Sequence, residues 1–125
     1  MHGYSQGGQI MDDAFCGGPD GTSLNSTGGL MPERVARNVA AIILMGDPRH
    51  VAGLFFNVGN ATAPGFAARP LGFRCPQFES RMQSYCDSPD PYCANGTSPE
   101  YHQSYGRRYG TQALAFIVRK LLVGL

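Results

Sequence analysis

Gly3-Tyr4-Ser5-Gln6-Gly7-Gly8 sets a serine among small residues close to the start of the chain. Its first five residues fit G-x-S-x-G, the nucleophile elbow, in which a serine sits on a sharp turn between a strand and a helix. The glycines have a steric reading: a strained serine backbone leaves no room for a side chain at either flank. The outcome is an exposed hydroxyl beside the unpaired N–H groups of a helix start. With Gly and Ser this abundant, chance supplies the pattern in roughly one such chain in seven, so it needs partners elsewhere in the sequence.

Working outward, Met1-His2 reads as the end of a strand entering the turn. Residues 6–15 read as a helix that buries Ile10, Met11, Ala14 and Phe15, and Cys16-Gly17-Gly18-Pro19 stops it. Residues 17–31 carry the Gly, Ser, Thr and Asn of a surface loop, and 32–38 a short helical turn begun by proline. The continuously apolar run 39–45, ended by Gly46-Asp47-Pro48, predicts a strand buried on both faces. From 48 to 76 no period is sustained, and Phe55, Phe56, Phe66 and Phe73 read as pins for a long loop. Residues 81–85 form a second short strand. A last helix covers about 109–122, with Leu114, Ile117, Val118, Leu121 and Leu122 as its apolar stripe. Arg119 and Lys120 suit its negative end. The pattern is that of an α/β layered fold, and an incomplete one, because two strands leave a parallel sheet with open edges.

A chain of 125 residues fits one domain with a modest core. A net charge of +1 with 15% charged residues argues against electrostatic binding of nucleic acid. No apolar run approaches membrane-spanning length, so a soluble chain with no membrane partner is expected. Cys16, Cys75, Cys86 and Cys93 leave no odd thiol and allow three pairings; none forms C-x-x-C, which leaves zinc and redox readings without support. Asn25-Ser26-Thr27, Asn60-Ala61-Thr62 and Asn95-Gly96-Thr97 are sequons, where about half of one is expected from five asparagines. They suggest a secretory glycoprotein, at odds with the lack of a signal peptide before the elbow.

A serine hydroxyl attacks poorly at neutral pH unless a histidine takes its proton and a carboxylate orients that histidine. His2 enters with the strand and points away from the turn. His50 follows the buried strand and reads as a solvated surface residue. His102 lies late in the chain on a loop before the last helix, in the hydrolase order serine, acid, histidine. Among carboxylates, Asp12 and Asp13 read as the solvated face of the first helix, and Asp20 as a turn residue. Asp47 ends a buried strand, where catalytic groups gather in α/β sheets, although Asp-Pro is also a turn signal. Asp90 sits in the loop bracketed by Cys86 and Cys93, which would hold it rigid if bridged; Asp87 in the same loop suits an Asx-turn. On the residues alone, Asp90 leads Asp47 only slightly.

Met45-Gly46-Asp47-Pro48, Tyr85-Cys86-Asp87-Ser88-Pro89-Asp90-Pro91-Tyr92-Cys93, His102-Gln103-Ser104-Tyr105-Gly106 and Tyr109-Gly110-Thr111-Gln112-Ala113-Leu114-Ala115-Phe116 accompany the elbow in order. Together they resemble the secreted fungal acetylxylan esterases of the cutinase superfamily, carbohydrate esterase family five. The resemblance implies a cutinase-like α/β-hydrolase sheet with helices on both faces, and a monomeric Ser-His-Asp esterase without metal or cofactor. By motif match Ser5 is the nucleophile, His102 the base, Asp90 the orienting acid and the Gln6 N–H an oxyanion donor. Asp47 becomes structural. The resemblance also implies pairing Cys16 with Cys75 and Cys86 with Cys93, an extracellular location, and an ester substrate, acetylated xylan. Tyr92, beside Asp90, either lines the site or is a packed loop aromatic.

Relatives resemble this chain with further cysteines where Ala61 and Ala94 stand, so one staple is absent without an orphan thiol. Gln9 stands where they commonly carry glutamate, a change from which little is expected. The larger departure is extent: residues 1–125 resemble only the C-terminal part of the family domain. The early strands are absent, and so is the loop hydroxyl that supplies a second oxyanion contact; losing such a donor costs about 2.7–4 kcal/mol. An internal methionine taken as a start, or an incomplete gene model, explains both the abrupt opening and the absent signal peptide. The expectation is therefore an acetylxylan-type serine esterase, with a cutinase for longer acyl esters or an inactive truncated homologue as alternatives.

Overall fold

The apolar run delivers its strand over Ile42–Met45, here β2, and each of its four residues is buried. Alternation sends Ile43 and Met45 into one core layer and Ile42 and Leu44 into the other. Burying each such side chain contributes about 1.5–3 kcal/mol. The computed structural model describes residues 1–19 and 31–123; most of the loop expected over 17–31, Asp20 and the Asn25 sequon lie outside them. Chain order is β1 (His2–Tyr4), α1 (Gln6–Cys16), α2 (Glu33–Ala36), β2, β3 (Asn57–Val58), a 3₁₀ turn (Glu79–Arg81), β4 (Met82–Tyr85), α3 (Pro99–His102) and α4 (Tyr105–Val123).

The strands form one parallel sheet in the order β1-β2-β4-β3. This is the α/β arrangement expected, with two corrections. The entering strand reaches Tyr4 and is paired along its length with β2, from His2 opposite Ile43 to Tyr4 opposite Met45. The elbow is therefore held by a neighbour within this chain. Second, the segment read as a long loop contains β3, joined to β4 when the Ser84 N–H donates to the Phe56 carbonyl and the Cys86 N–H to that of Val58. A two-residue strand is too short to show a period, so the pairing is visible only in three dimensions.

Helix α1 packs with Phe15 against Phe78, β2 and Met82 on one face of the sheet; α4 covers the other with Ala113 and Phe116. Both helices differ from the expected faces. On α1 the buried positions are Gly8, Asp12 and Phe15, while Ile10 is 65% exposed. On α4, Leu114, Val118, Leu121 and Leu122 face outward and Ile117 is partly buried. The reason is polar. The Tyr105 and Tyr109 hydroxyls are tied to aspartates, and those bonds rotate Tyr105, Tyr109, Ala113 and Phe116 toward the sheet.

Both disulfides implied by the resemblance are formed, Cys16–Cys75 and Cys86–Cys93. The first joins the end of α1 to the segment before β4, and the second closes the loop after β4. Ala61 and Ala94 both pack in the α4-side core cluster, an apolar replacement for a staple. Of the two described sequons, Asn60 and Asn95 are both exposed, and the Asn60 side-chain oxygen accepts from the Ser88 N–H. Among the described residues no helix is long and apolar enough to cross a membrane.

Candidate active site

Three segments converge at the carboxyl ends of the parallel strands: the turn after β1, Gly46-Asp47 after β2, and the disulfide loop after β4. Ligand and catalytic groups of open α/β sheets gather at this edge. Ser5 has φ 56° and ψ −125° and is the one non-glycine residue at positive φ among those described. Such a backbone costs on the order of 1–3 kcal/mol and persists only when neighbours over-determine it. Here the Ser5 N–H donates to the Met45 carbonyl at 2.9 Å, and the Gln9 N–H donates to the Ser5 carbonyl at 3.0 Å.

The steric demand on the glycines is unequal. A Cβ on Gly3 would lie 2.7 Å from the Gly8 Cα, so strand and helix approach through bare backbone. A Cβ on Gly7 would meet nothing within 4 Å. The expected collision at both flanks therefore falls on Gly3 and Gly8, one residue beyond the motif.

Although it caps α1, the Ser5 side chain makes no capping bond. Its Oγ lies 2.8 Å from His102 Nε2, and His102 Nδ1 lies 2.7 Å from Asp90 Oδ2. His102 is 5% exposed and Asp90 is fully buried. His102 ends the short helix α3, which is capped by Ser98: the Tyr101 N–H donates to its Oγ. The Tyr92 and Cys93 N–H groups donate to Asp90 Oδ1 at 2.7 and 3.1 Å. Gln6 begins α1, so its N–H has no acceptor within the helix and lies beside the serine. Tyr92 and Tyr4 are both well exposed, their rings centred 4.5 and 5.0 Å from that of His102.

The other candidates sit elsewhere. His2 lies on β1, exposed. His50 is not the solvated residue expected: it is buried, its Nδ1 has no hydrogen-bond partner, and burial pushes its titration down. Asp87 does more than shape a turn, accepting from the Tyr101 hydroxyl at 2.6 Å, the Tyr109 hydroxyl at 2.8 Å and the Asn60 N–H at 2.8 Å. Tyr101 reaches Asp87 from α3 and Tyr109 from α4, so the aspartate joins two helices that nothing in the sequence marks as neighbours.

Asp12 and Asp13 are likewise not a solvated face. Arg69 donates to Asp12 Oδ1 at 2.8 Å and Arg49 to Asp13 Oδ1 at 2.9 Å. Beside them Asp47 is 1% exposed; its Oδ1 accepts from the Arg49 N–H, and its Oδ2 has no donor. Burial, and next the Asp12 charge, hold the Asp47 carboxyl well above the usual carboxylate range. A proton held on Asp47 would make the unpartnered Oδ2 a donor in place of an unfilled acceptor. A folded-state value above the unfolded one means that Asp47 costs stability as pH rises toward and through the folded value. Replacing it with Asn keeps a donor toward Asp12 and removes the ionisation. Melting temperatures across pH should show wild type losing ground to Asp47→Asn as pH rises above the ordinary carboxylate range; parallel profiles would show that Asp47 is not held protonated.

The family model described as Cutinase matches residues 1–121. The chain belongs to the cutinase family. This cutinase-family chain is 54% identical over 123 residues to Cutinase 11 of Verticillium dahliae, covering 98% of itself and 41% of that protein. It is 51% identical over 123 residues to the acetylxylan esterase of Hypocrea jecorina, covering 98% of itself and 40% of that protein. Among solved structures, an acetylxylan esterase at 0.90 Å resolution superposes with a TM-score of 0.89 at 48% identity, covering 96% of this chain and 58% of that one. The catalytic core domain of acetyl xylan esterase from Trichoderma reesei gives 0.88 at 50% identity, covering 94% and 57%. The fold is thus the cutinase-like α/β-hydrolase fold, and the chain spans about half the length of the curated relatives it matches.

Proposed function

We propose that this chain is a serine carboxylesterase that removes acetyl groups from acetylated xylan, forming the C-terminal part of a cutinase-like domain. The observation that carries the reading is the hydrogen-bonded line from Ser5 through His102 to buried Asp90, set under a strained serine. In the first step Ser5 Oγ attacks the ester carbonyl carbon while His102 Nε2 takes the hydroxyl proton. The carbonyl oxygen gains charge and accepts from the Gln6 N–H. The carbon–oxygen bond to the sugar then breaks, and His102 returns the proton to the departing alcohol. Water next gives a proton to His102 and attacks the acyl-enzyme, releasing acetic acid and the serine hydroxyl. Asp90 holds the imidazole with Nδ1–H inward and offsets the charge of the imidazolium.

The names of the acetylxylan esterase relatives support the acetyl preference, and the two disulfides support an oxidising, extracellular setting. Cutinase action on longer acyl esters is the runner-up, supported by the Verticillium relative. The test is covalent labelling of the purified 125-residue protein with a fluorophosphonate probe. Wild type should be labelled at Ser5 and Ser5→Ala should not. A blank wild type that becomes labelled when the remaining part of the family domain is added would instead favour an inactive truncated homologue. Among active preparations, faster hydrolysis of a long-chain nitrophenyl ester than of nitrophenyl acetate would overturn the acetyl assignment.

A further inference from the structure

Asp90 faces four donors, and the catalytic reading uses three of them. Two backbone N–H groups fix Oδ1, and Oδ2 faces His102. The fourth is the Tyr105 hydroxyl, 2.8 Å from the same Oδ2. Tyr105 opens α4, is 1% exposed, and reaches Asp90 from the sheet side of that helix. We propose that Tyr105 is a positioning residue for the esterase reaction, its hydroxyl fixing Asp90 Oδ2 in line with His102. The inference rests on the Ser5–His102–Asp90 reading.

The direction of the hydroxyl proton follows from its neighbours. The Asp87 N–H donates to the Tyr105 oxygen at 3.1 Å, which occupies a lone pair and leaves the phenolic proton to be given away. Two acceptors are in reach. Cys93 Sγ lies 3.3 Å off, but a disulfide sulfur is a weak acceptor; the buried carboxylate is nearer and charged. Burial foremost, with the neighbouring carboxylates contributing, holds the Tyr105 phenol above its ordinary value, so it remains a donor. The other charged or titratable groups facing the His102–Asp90 pair are Asp87 and Tyr92 from the disulfide loop, Tyr4 from the elbow and His50 from the loop after β2. Tyr101 and Tyr109 give their protons to Asp87. Tyr105 alone among the three tyrosines serves Asp90 directly.

Without this donor Asp90 becomes a stronger acceptor for the His102 Nδ1 proton and a less fixed one. In Tyr105→Phe of the 125-residue protein, the low-field Nδ1 proton resonance of His102 should move further downfield. The acid limb of Ser5 labelling by a fluorophosphonate should shift to higher pH, and the maximal rate should fall about tenfold. Tyr109→Phe removes a hydroxyl from the same helix without touching Asp90 and should move neither the resonance nor the limb. If Tyr105→Phe does not fold, fluorotyrosine at position 105 is a stronger donor and should move the resonance upfield. An unmoved resonance in Tyr105→Phe, or equal movement in Tyr109→Phe, overturns the role. Failure of the esterase reading is distinct: it appears as a wild type that is not labelled, or as labelling that survives Ser5→Ala, while the resonance comparison still decides the fate of Tyr105.

Discussion

Gly46→Ala should slow labelling of Ser5 by at least about a hundredfold while the protein remains folded. Gly46 has φ +64°, and an added Cβ would lie 2.7 Å from His102 Cε1 and 2.8 Å from its Nδ1. Left-handed backbone costs an alanine about 1–2 kcal/mol, which a folded domain tolerates. The imidazole has no such latitude, being held at 2.8 Å from Ser5 and 2.7 Å from Asp90, with Tyr105 Cε2 only 3.3 Å from the new methyl. Displacement by about 1 Å costs on the order of a hundredfold in rate. Circular dichroism separates the two effects: a native spectrum with slow labelling is expected. Labelling at the wild-type rate would mean that His102 can relax without consequence.

Arg49→Ala should be among the most destabilising single changes in the protein. The side chain is 1% exposed. Its guanidinium donates to Asp13 at 2.9 Å and to the Gly18, Pro19 and Ala67 carbonyls at 2.9, 3.1 and 3.2 Å. Removing it leaves the Gly18 and Ala67 carbonyls buried without this donor, and leaves Asp13 with only the longer contact to Arg69 at 3.4 Å. Each buried acceptor left unsatisfied costs about 1–3 kcal/mol, out of a typical domain total of about 5–15. Lysine should not rescue, because one ammonium cannot reach acceptors arranged for a planar fork. Urea titration measures this directly; a midpoint within error of wild type would show that the network is solvated in solution.

The elbow and the buried run were legible because each is local: a turn needing glycines and a stretch without charge; the choice of Asp90 over Asp47 came from the family motif, because the residues alone left the two nearly level. What was illegible depends on partners far away in sequence. Asp12 and Asp13 read as surface residues because their cations, Arg69 and Arg49, lie in a segment without periodicity. His50 read as solvated because it lies in that same segment, where no period marks which side chains are buried. The face of α4 was misjudged because its apolar stripe was weighed and its tyrosines were not; Asp87 and Asp90 chose the helix rotation instead. The motif glycines were right in number but shifted by one, since it is Gly8 that touches Gly3.

Ser5 and His102 are separated by 97 positions, and their hydrogen bond joins the turn after the first strand to the end of the third helix. Loop-closure entropy makes contacts of that span late events in folding, formed after the local turns and strand pairs beneath them. The hydroxyl–imidazole contact therefore works as a clasp that closes only when the elbow and the third helix have docked on the same sheet. Probe capture at Ser5 then reads more than chemistry. It counts the molecules in which the elbow and the third helix have come together.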